Sequence, residues 1–225
     1  MTYRAFNEDN ASLMPIWDLT QIRDVERSGL AMGLPLMHRA GAAAADFVKR
    51  MCHQEDPILV LAGPGNNGGD ALVAAYLLKQ AGRQVTVVLP CAPTNSSRDA
   101  QQALSQWQSL STSALESTLP KATPALIIDG LFGIGLNRQL AAPWQVMIDQ
   151  ANEWQRPILS LDIPSGLSAQ TGEAHGRPIR ATWTMSFIAR CSGVSAVQAR
   201  PYVGHLYVED LDLNIGHGHD HASSD

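Results

Sequence analysis

Residues 58–70 of the chain read ILVLAGPGNNGGD: five consecutive apolar residues, a glycine-rich run and an aspartate. A short, continuous apolar run is typical of a strand that is buried on both faces of a parallel sheet. Gly63, Gly65 and Gly68 fit the pattern G-x-G-x-x-G, which allows a tight turn and a close approach of the backbone to a phosphate at a helix N-terminus. The stretch therefore predicts a strand, a ligand-binding turn and a helix in direct succession. The alternative is a plain glycine-rich turn in which Asp70 marks the helix start.

Strand-like and helical patterns alternate along the rest of the chain, with glycine and proline between them. Strands are predicted over residues 58–62, 85–89, 125–128 and 158–161, and strand-like segments over 182–187 and 205–208. Helices are predicted over residues 20–31 (with Thr20 as the N-cap), 37–51, 70–80, 97–108 and 144–154. Such alternation indicates right-handed βαβ units around a parallel sheet. The predicted fold class is α/β: a Rossmann-like three-layer αβα sandwich with a mostly parallel sheet and an N-terminal helical pair.

Length and charge narrow the class of protein. With 225 residues the chain is long enough for one domain with its own core, and its 16% of charged residues is well below the roughly 25% of an average domain. The net charge of −5 argues against general nucleic-acid binding, which requires a basic surface. No apolar run approaches the ~20 residues of a membrane span, and the N-terminus has no signal-peptide pattern. A soluble, cytoplasmic protein is therefore expected.

The cysteines and histidines give no strong metal signal. Cys52, Cys91 and Cys191 are odd in number and widely spaced, which fits neither a disulfide framework nor a CxxC metal site. Residues 216–225 read GHGHDHASSD, and alternating histidines are able to hold zinc or nickel. The simpler interpretation is a flexible tail that binds metal only adventitiously. The predicted division is one domain over residues 1–215 and a His-rich tail over residues 216–225.

Two absences restrict the ligand of the glycine-rich turn. A P-loop requires Gly-Lys-Ser/Thr, whereas here Gly69 is followed by Asp70 and no lysine lies in a glycine loop. A Rossmann dehydrogenase has an acid near the end of its second strand that binds the ribose of NAD. Here that strand is followed by Pro90 and Cys91, and the next carboxylate is Asp99. The sequence therefore disfavours an NTPase and a standard NAD-dependent oxidoreductase.

Two further polar clusters follow predicted strands. Residues 129–138 read DGLFGIGLNR, in which the glycines allow a close backbone approach and Arg138 is able to pair with a phosphate. Residues 162–166 read DIPSG. The plainer alternatives are a surface loop with a solvated arginine, and a Pro-Ser-Gly turn in which Asp162 bonds its own backbone.

Three predicted strand ends each carry an oxygen-bearing side chain: Asn67, Asp129 and Ser165. Ligands of open α/β sheets bind outside the carboxyl ends of the strands, where these side chains are expected to meet. Oxygen donors of this kind suit a hard cation such as potassium, whereas the chain offers no Cys/His set for zinc. Asp162 is then the remaining carboxylate of the predicted cleft that has no such role.

Four motifs in order along the chain resemble the YjeF N-terminal domain family, the NAD(P)H-hydrate epimerases. They are LMHRAG at residues 36–41, GPGNNGGD at 63–70, DGLFGIGL at 129–136 and LSLDIPSGL at 159–167. The resemblance covers roughly residues 17–213. Gly130 and Ile134 depart from it, since alanine and a small hydroxyl residue are expected there, but neither position supplies an essential charge.

The resemblance implies an isomerase that interconverts the R and S epimers of hydrated NADH and NADPH. By motif position, the substrate would be contacted by Asn66, Asn67, Gly68, Gly69, Asp70, Gly133, Ile134, Gly135, Leu136, Asn137, Arg138, Gln139 and Asp162. Asp162 would be the catalytic residue, and Asn67, Asp129 and Ser165 would coordinate a potassium ion. The resemblance also implies a homodimer that is functionally linked or fused to an NAD(P)H-hydrate dehydratase. The chain is then either a stand-alone epimerase or part of a bifunctional repair enzyme.

Epimerisation at a carbon that bears both a hydroxyl and a ring nitrogen needs proton transfer but no redox step. Loss and return of water, or opening and closing of the ring, each require one group that donates and accepts a proton. Asp162 is the predicted group. Two alternatives remain: a non-catalytic binding or scaffold domain, as in the mRNA-decapping and apolipoprotein-binding relatives, and an NAD(P)-binding oxidoreductase. The acid and the predicted metal ligands favour the enzyme over the scaffold.

Overall fold

The helices and strands follow the order that the glycine and proline breaks predict. The computed structural model describes residues 15–91, 97–110 and 115–213. The strands are β1 (Ile16–Trp17), β2 (Ile58–Ala62), β3 (Val85–Val88), β4 (Leu115–Glu116), β5 (Leu126–Gly130), β6 (Ile158–Leu161), β7 (Trp183–Phe187), β8 (Arg190–Cys191) and β9 (His205–Glu209). The helices are α1 (Leu19–Ala31), α2 (Leu36–Met51), α3 (Asn66–Gln80), α4 (Arg98–Gln108), α5 (Ala142–Glu153), α6 (Ser192–Ser195) and α7 (Arg200–Val203), with a 3-10 turn at Val197–Ala199.

Seven of the described strands form one sheet in the order β4-β3-β2-β5-β6-β7-β9, and every neighbouring pair is parallel. Every residue of β2 and β5 is buried, as expected of strands that are covered on both faces. The chain builds one half of the sheet outward from β2 and then the other half outward from β5, which is the Rossmann strand order. The predicted Rossmann-like fold is confirmed, and the reversal brings the carboxyl ends of β2 and β5 side by side.

Alternate residues of the central strands face two separate cores. Val60 of β2 and Ile128 of β5 belong to a core that also contains buried residues of α1, α2, α3 and α4. Leu61 and Ile127 belong to the opposite core, which α5 closes with Ile148 and its neighbours. In the described part of the chain, the sheet therefore lies between a thick helical layer and a thin one.

The N-terminal helical pair is present, with one correction at its start. Asp18, rather than Thr20, is the N-cap of α1, because its Oδ1 accepts hydrogen bonds from the amides of Thr20 and Gln21 at 2.8 and 2.9 Å. The Asp18 amide in turn donates to the Gln21 side chain at 3.0 Å, which completes a capping box. A carboxylate is the better cap here, since it is also attracted by the positive end of the helix dipole.

Part of the apolar surface of the helical pair packs on the sheet. The Phe47 ring of α2 meets Trp183 of β7 and Tyr207 of β9 edge-on, with ring centroids 5.4 and 5.1 Å apart. Leu30 and Met32 at the end of α1 remain 46% and 68% exposed. The helical pair thus packs partly on the sheet, whereas the homodimer that the resemblance implies stays a prediction.

Two element bounds that matter for the site differ from the predicted ones. Helix α3 begins at Asn66 rather than at Asp70. The earlier start is possible because Gly68 has no side chain: a Cβ there would lie only 1.9 Å from the carbonyl oxygen of Gly63. Strand β5 is also longer than predicted and continues through Asp129, which pairs with β2. Asp129 is therefore a strand residue and not a loop residue.

Some predictions fall outside what the structure tests. The His-rich tail lies outside the described residues, so the division of the chain at residue 215 stays a prediction. Among the described helices, none is long and apolar enough to cross a membrane. The cytoplasmic location stays a prediction. Cys52, Cys91 and Cys191 are free thiols.

Candidate functional site

A cleft of about 560 Å³ opens at the carboxyl ends of β2, β5 and β6, and its walls come from the strand-end loops and from α1, α2 and the start of α3. This is the edge at which open α/β sheets bind their ligands. The predicted substrate residues that line it are Asn66, Asn67, Asp70, Gly133, Ile134, Gly135, Leu136, Asn137, Arg138 and Asp162. The three polar clusters, which are far apart in the sequence, therefore meet at one place.

Three residues that were predicted to contact the substrate, Gly68, Gly69 and Gln139, do not line the cleft. Gly68 and Gly69 are buried within the first turn of α3. A Cβ on Gly69 would lie 2.6 Å from the sulfur of Met37, so glycine is what allows α3 to pack closely against α2. Contact of these three residues with a ligand stays a prediction.

The N-terminal end of α3 lies at the cleft, which Gly65, Asn66 and Asn67 line. The N-cap residue is Gly65, which has no side chain to occupy the first amides of the helix. The Gly69 amide is the first in α3 to donate a helical hydrogen bond, to the Gly65 carbonyl at 3.2 Å. The amides of residues 66–68 therefore have no acceptor within the helix. Free amides and the helix dipole together favour an anion. This end of α3 is therefore suited to a phosphate group of a ligand.

Asp162 directly follows β6 and has an unusual backbone. Its φ of 62° lies in the left-handed region, which is uncommon for residues other than glycine and is frequent at active sites. Two hydrogen bonds hold this conformation: the Asp162 amide donates to the Met185 carbonyl at 2.8 Å, and the Ser186 hydroxyl donates to the Asp162 carbonyl at 2.8 Å. The carboxylate accepts hydrogen bonds from the amides of Ile134 and Phe187. Its partners thus come from other strand ends, unlike in a simple Asx turn.

The environment of the Asp162 carboxyl group raises its pKa from 3.8 to about 7. The main cause is loss of solvation, and the negative charge of Glu26 adds to it. The two backbone amides act in the opposite direction because they stabilise the carboxylate. An acid with a pKa near 7 can both donate and accept a proton at neutral pH, which is what acid–base catalysis requires.

Gly133 leaves space beside this carboxyl group. A Cβ at Gly133 would lie 2.4 Å from Oδ2 of Asp162 and 3.2 Å from the Asn67 side chain. A side chain at this position would therefore displace one of the two. Gly135, two residues further along the same loop, has no atom within 4 Å of its would-be Cβ.

Asp129 lies one strand away from Asp162 and is fully buried. Its Oδ1 accepts from the Ser165 hydroxyl at 2.6 Å and from the Leu131 amide at 3.3 Å. Its Oδ2 accepts from the Ser160 hydroxyl at 2.8 Å and from the Ser165 amide at 2.9 Å. Burial raises the pKa of Asp129, while these four hydrogen bonds oppose the rise. Within the described ranges, no basic side chain lies within 4 Å to balance its charge.

Asn67 is the third member of the predicted metal set, and it is buried without a partner. Neither its Oδ1 nor its Nδ2 has a hydrogen-bond partner among the described residues. Leaving a buried polar group unpaired costs about 1–3 kcal/mol, so such groups are rare unless a ligand satisfies them. The unpaired oxygen of Asn67, the unbalanced charge of Asp129 and the hydroxyl of Ser165 fit a cation that binds through oxygen. The described residues contain no cluster of three His, Cys, Asp or Glu residues that is suited to a metal.

Helix α1 supplies a wall of the cleft that the motifs did not predict. Ile22, Glu26 and Leu30 line the cleft at intervals of four residues, and Arg23 lies beside them. Burial raises the pKa of Glu26, and the charge of Arg23 opposes this. The sequence contained a signal, namely a glutamate on the apolar side of an amphipathic helix. Only the fold shows that this side faces the strand ends.

Asp70 is a further acid in the cleft, in the second turn of α3. Its pKa is raised well above the usual range, mainly by burial and also by the charges of Asp162 and Glu26. The cleft thus holds three carboxyl groups that influence one another. Sequence reasoning also missed cleft residues from other segments: Ser97, Asp99, Leu131, Phe132, Phe187, Ile188 and Leu211.

The fold and the cleft define a class: Rossmann-like α/β proteins that bind a ligand at the carboxyl ends of parallel strands. Within that class, a family model described as "YjeF-related protein N-terminus" matches residues 33–193. Since this match spans well over half of the chain, the chain belongs to that family.

Several named relatives are similar over most of the chain. A protein of Bordetella pertussis (strain Tohama I) named NAD(P)H-hydrate epimerase is 49% identical over 204 residues, which are 89% of each chain. One of the same name from Lentilactobacillus buchneri is 35% identical over 194 residues, covering 82% of this chain and 88% of that one. A Leishmania braziliensis protein named bifunctional NAD(P)H-hydrate repair enzyme is 36% identical over 209 residues, covering 88% of this chain and 37% of that one.

The fold has a counterpart of known structure. The crystal structure of yeast ynu0 superposes with a TM-score of 0.72 at 21% identity, covering 87% of this chain and 88% of that one. At this identity the likeness concerns the fold, and it supports the strand order described above.

Proposed function

We propose that this chain is an isomerase that interconverts the R and S epimers of hydrated NADH and NADPH. The observation that carries the proposal is Asp162, an acid with a pKa near 7 that faces a cleft at the switch point of a parallel sheet. The relatives named as epimerases cover nearly the whole chain, which supports a shared activity. A binding or scaffold domain has no use for a strained, desolvated acid of this kind.

In this proposal the dinucleotide binds along residues 66–70 and 133–139. The phosphate groups are attracted by the free amides of α3 and by the exposed side chain of Arg138. The hydrated ring then lies beside Asp162, in the space that Gly133 leaves open. Residues of both segments line the cleft, which supports binding of one extended ligand across them.

The chemistry needs an acid that protonates the departing hydroxyl and an acceptor for the proton of the incoming water. The protonated Asp162 gives its proton to the ring hydroxyl, the C–O bond breaks, and the oxygen leaves as water. The lone pair of the ring nitrogen stabilises the resulting cation. A water molecule then adds to the same carbon from the other face and gives its extra proton to a base, so that the hydrate is restored with inverted configuration. The amides of Ile134 and Phe187 keep the Asp162 carboxyl group oriented throughout.

Ring opening and closing is the second route, and oxygen isotopes distinguish the two. Loss and return of water introduces oxygen from the solvent at the epimerised carbon, whereas ring opening retains the original oxygen. A single-turnover reaction in water enriched in ¹⁸O, analysed by mass spectrometry, is expected to show incorporation. Inversion without incorporation would favour the ring-opening route.

Asn67, Asp129 and Ser165 would hold a potassium ion in this proposal. The unpaired Asn67 oxygen and the buried, unbalanced charge of Asp129 support it. When bound, the ion supplies a positive charge that neutralises Asp129 and attracts the phosphate or water end of the substrate.

Thermal melting in different salts tests this cation site. At equal ionic strength, potassium chloride is expected to raise the melting temperature of the wild type above that in choline chloride by about 2–4 °C, or ~1 kcal/mol. Asn67→Ala should lose the effect, and Asn66→Ala, which changes the exposed neighbour, should keep it. An equal response of all three proteins to both salts would contradict a specific site.

Assembly and context are part of the proposal. The exposed Leu30 and Met32 support a homodimer that buries the end of α1, and light scattering at micromolar concentration should give twice the monomer mass. The bifunctional Leishmania relative supports a functional link to an NAD(P)H-hydrate dehydratase.

The direct experiment is an epimerisation assay with the purified chain. The R epimer of NADH hydrate is incubated with the protein, and formation of the S epimer is followed by chromatography against a reaction without protein. Catalysed approach to the same equilibrium from either epimer is the expected result. No acceleration over the uncatalysed reaction would favour the binding-domain alternative, and a change in nicotinamide redox state would favour an oxidoreductase.

A further inference from the structure

Glu26 is the acidic residue on the side of α1 that faces the cleft, where Arg23 is the other charged residue. It lines the cleft with Ile22 and Leu30, which lie one turn before and after it. Asp24 and Arg27 lie on the exposed side of the helix and pair with each other at 2.8 Å. Glu26 forms no ion pair within 4 Å among the residues that the structure describes. A partly buried carboxylate without a structural partner points to a role in the cleft.

Glu26 and Asp162 reach the cleft from different layers of the fold. Asp162 stands at the end of β6 in the sheet, whereas Glu26 is carried by a helix of the layer that covers the sheet. Both line the same cavity, and the charge of Glu26 acts on Asp162. The family match begins at residue 33, so it does not include α1. The cleft therefore presents a second carboxyl group on a wall other than that of Asp162.

Inversion at the ring carbon requires proton transfer at both faces of the ring. An acid on one face releases water there, and if it also returns water there, the original epimer forms again. Formation of the other epimer requires a water molecule on the opposite face and a base that takes its proton. Paired carboxyl groups on opposite sides of a reacting carbon are a known solution to this requirement.

We propose that Glu26 is a second catalytic residue, the base that activates water on the ring face opposite Asp162. The proposal rests on the epimerase function proposed above. Asp162 protonates the hydroxyl, and the C–O bond breaks with its electron pair on the departing water. A water molecule beside Glu26 then forms the new C–O bond and gives its proton to the Glu26 carboxylate. The reverse reaction exchanges the two roles, and solvent restores the starting protonation states between turnovers.

The charges around the two groups favour opposite protonation states. Burial raises the pKa of Glu26, and the positive charge of Arg23, one turn away, opposes that rise and favours the carboxylate that serves as a base. Loss of solvation and the Glu26 charge raise the pKa of Asp162, which keeps an acid available. The other titratable or charged groups around Asp162 are Asp70 of α3, Asp99 of α4, Arg138 of the loop after β5, and the buried thiol of Cys191.

The test compares Glu26→Gln with Asp24→Asn, a matched loss of one negative charge on the exposed side of α1. Each protein and the wild type are incubated with the R epimer in water enriched in ¹⁸O. Oxygen exchange and inversion are measured on the same samples, after melting curves confirm that the variants are folded. Glu26→Gln is expected to slow inversion by about 100-fold but to retain exchange in the R epimer, which Asp162 alone can catalyse. The ratio of its exchange rate to its inversion rate should rise by at least about tenfold. The same ratio in Asp24→Asn should equal that of the wild type.

The ratio separates catalysis from structure and from the proposed function itself. A Glu26→Gln protein that loses exchange and inversion equally, or only binds substrate less tightly, would overturn the role of Glu26. A wild type that inverts without any exchange would also overturn it, while leaving the epimerase function intact. A wild type that shows neither reaction would overturn the proposed function. If Glu26→Gln fails to fold, Glu26→Ala and Glu26→Asp serve the same comparison, and Glu26→Asp should restore part of the inversion.

Discussion

Asp129 and Asp162 stand at the ends of neighbouring strands, but their surroundings differ in hydrogen bonding and access. Asp129 accepts four hydrogen bonds, from Leu131, Ser160 and Ser165, and does not line the cleft. Asp162 accepts bonds from two backbone amides, adopts a left-handed backbone conformation and lines the cleft. Burial raises the pKa of both carboxyl groups, and the pKa of Asp162 rises to about 7.

This difference shows that the same type of side chain takes two different roles at one edge of the sheet. Four donors stabilise the charge of Asp129, so it joins the strand ends together and is suited to a cation. Two donors leave Asp162 able to gain and lose a proton near neutral pH. The same substitution, aspartate to asparagine, should therefore have opposite consequences at the two positions.

The largest effect is expected on the rate of epimerisation in Asp162→Asn. Asparagine keeps the shape of the side chain and one acceptor oxygen but cannot transfer the proton. The rate should fall by about 10²–10⁴-fold, equivalent to roughly 3–5 kcal/mol of barrier, as measured by kcat. The control is Asp149→Asn in α5, a carboxylate that pairs with Arg177 away from the cleft. Near-normal turnover of Asp162→Asn with a loss of several degrees in melting temperature would make Asp162 a structural residue.

Asp129→Asn is expected to destabilise the protein. The side-chain nitrogen of the new asparagine would face two of the four donors. Those two donors would then have no acceptor in a buried site. The free energy of unfolding should fall by about 3 kcal/mol, as measured by urea denaturation at pH 7. An unchanged unfolding midpoint would show that Asp129 does not organise the strand ends.

Asp162 should also make stability depend on pH, with a sign opposite to that of an ordinary salt-bridged carboxylate. Its pKa is higher in the folded protein, about 7, than the 3.8 of an unperturbed aspartate. Its favourable contribution to the free energy of unfolding is therefore complete below pH 4 and is lost as the pH rises from about 4 to 7. The free energy of unfolding of Asp162→Asn should equal that of the wild type at pH 4. At pH 8 the variant should be more stable by about 2–3 kcal/mol, a figure reduced for the screening effect of water in the cleft.

The measurement is the difference in unfolding free energy between the two proteins across this pH range. The contributions of all other titratable groups cancel in this difference because the two proteins share them. A difference that does not change between pH 4 and pH 8 would mean that the carboxyl group of Asp162 titrates at its usual pH.

The smallest effect is expected at Gly133, whose lack of a side chain keeps Asp162 and Asn67 in place. In Gly133→Ala the new methyl group must displace Oδ2 of Asp162, so kcat should fall by about tenfold with little change in stability. Gly135→Ala is the matched control in the same loop, because a Cβ there meets no atom within 4 Å. Equal kinetics for the two alanine variants would contradict the close approach as a determinant of the site.

The sequence was sufficient to predict much of this arrangement, for local reasons. Continuous apolar runs mark buried parallel strands, and glycine-rich turns after them mark the ligand edge. Those two patterns placed Asn67, Asp129, Asp162 and Ser165 at strand ends without knowledge of the strand order. Motif reasoning failed at α1, since Glu26 belongs to no glycine-rich motif. It also missed Ser160, which appears in the sequence only as a polar residue within an apolar strand.

The sequence by itself determined the fold class, the order of the elements and the strand ends that carry polar groups. These follow from hydrophobic periodicity and from the conformational freedom of glycine, both of which act over a few residues. Only the tertiary structure decided which carboxyl groups share an environment and what each of them can do. A pKa depends on solvation and on charges that come from distant parts of the chain, so the contrast between Asp129 and Asp162, and the approach of Glu26, appear only when the layers are assembled.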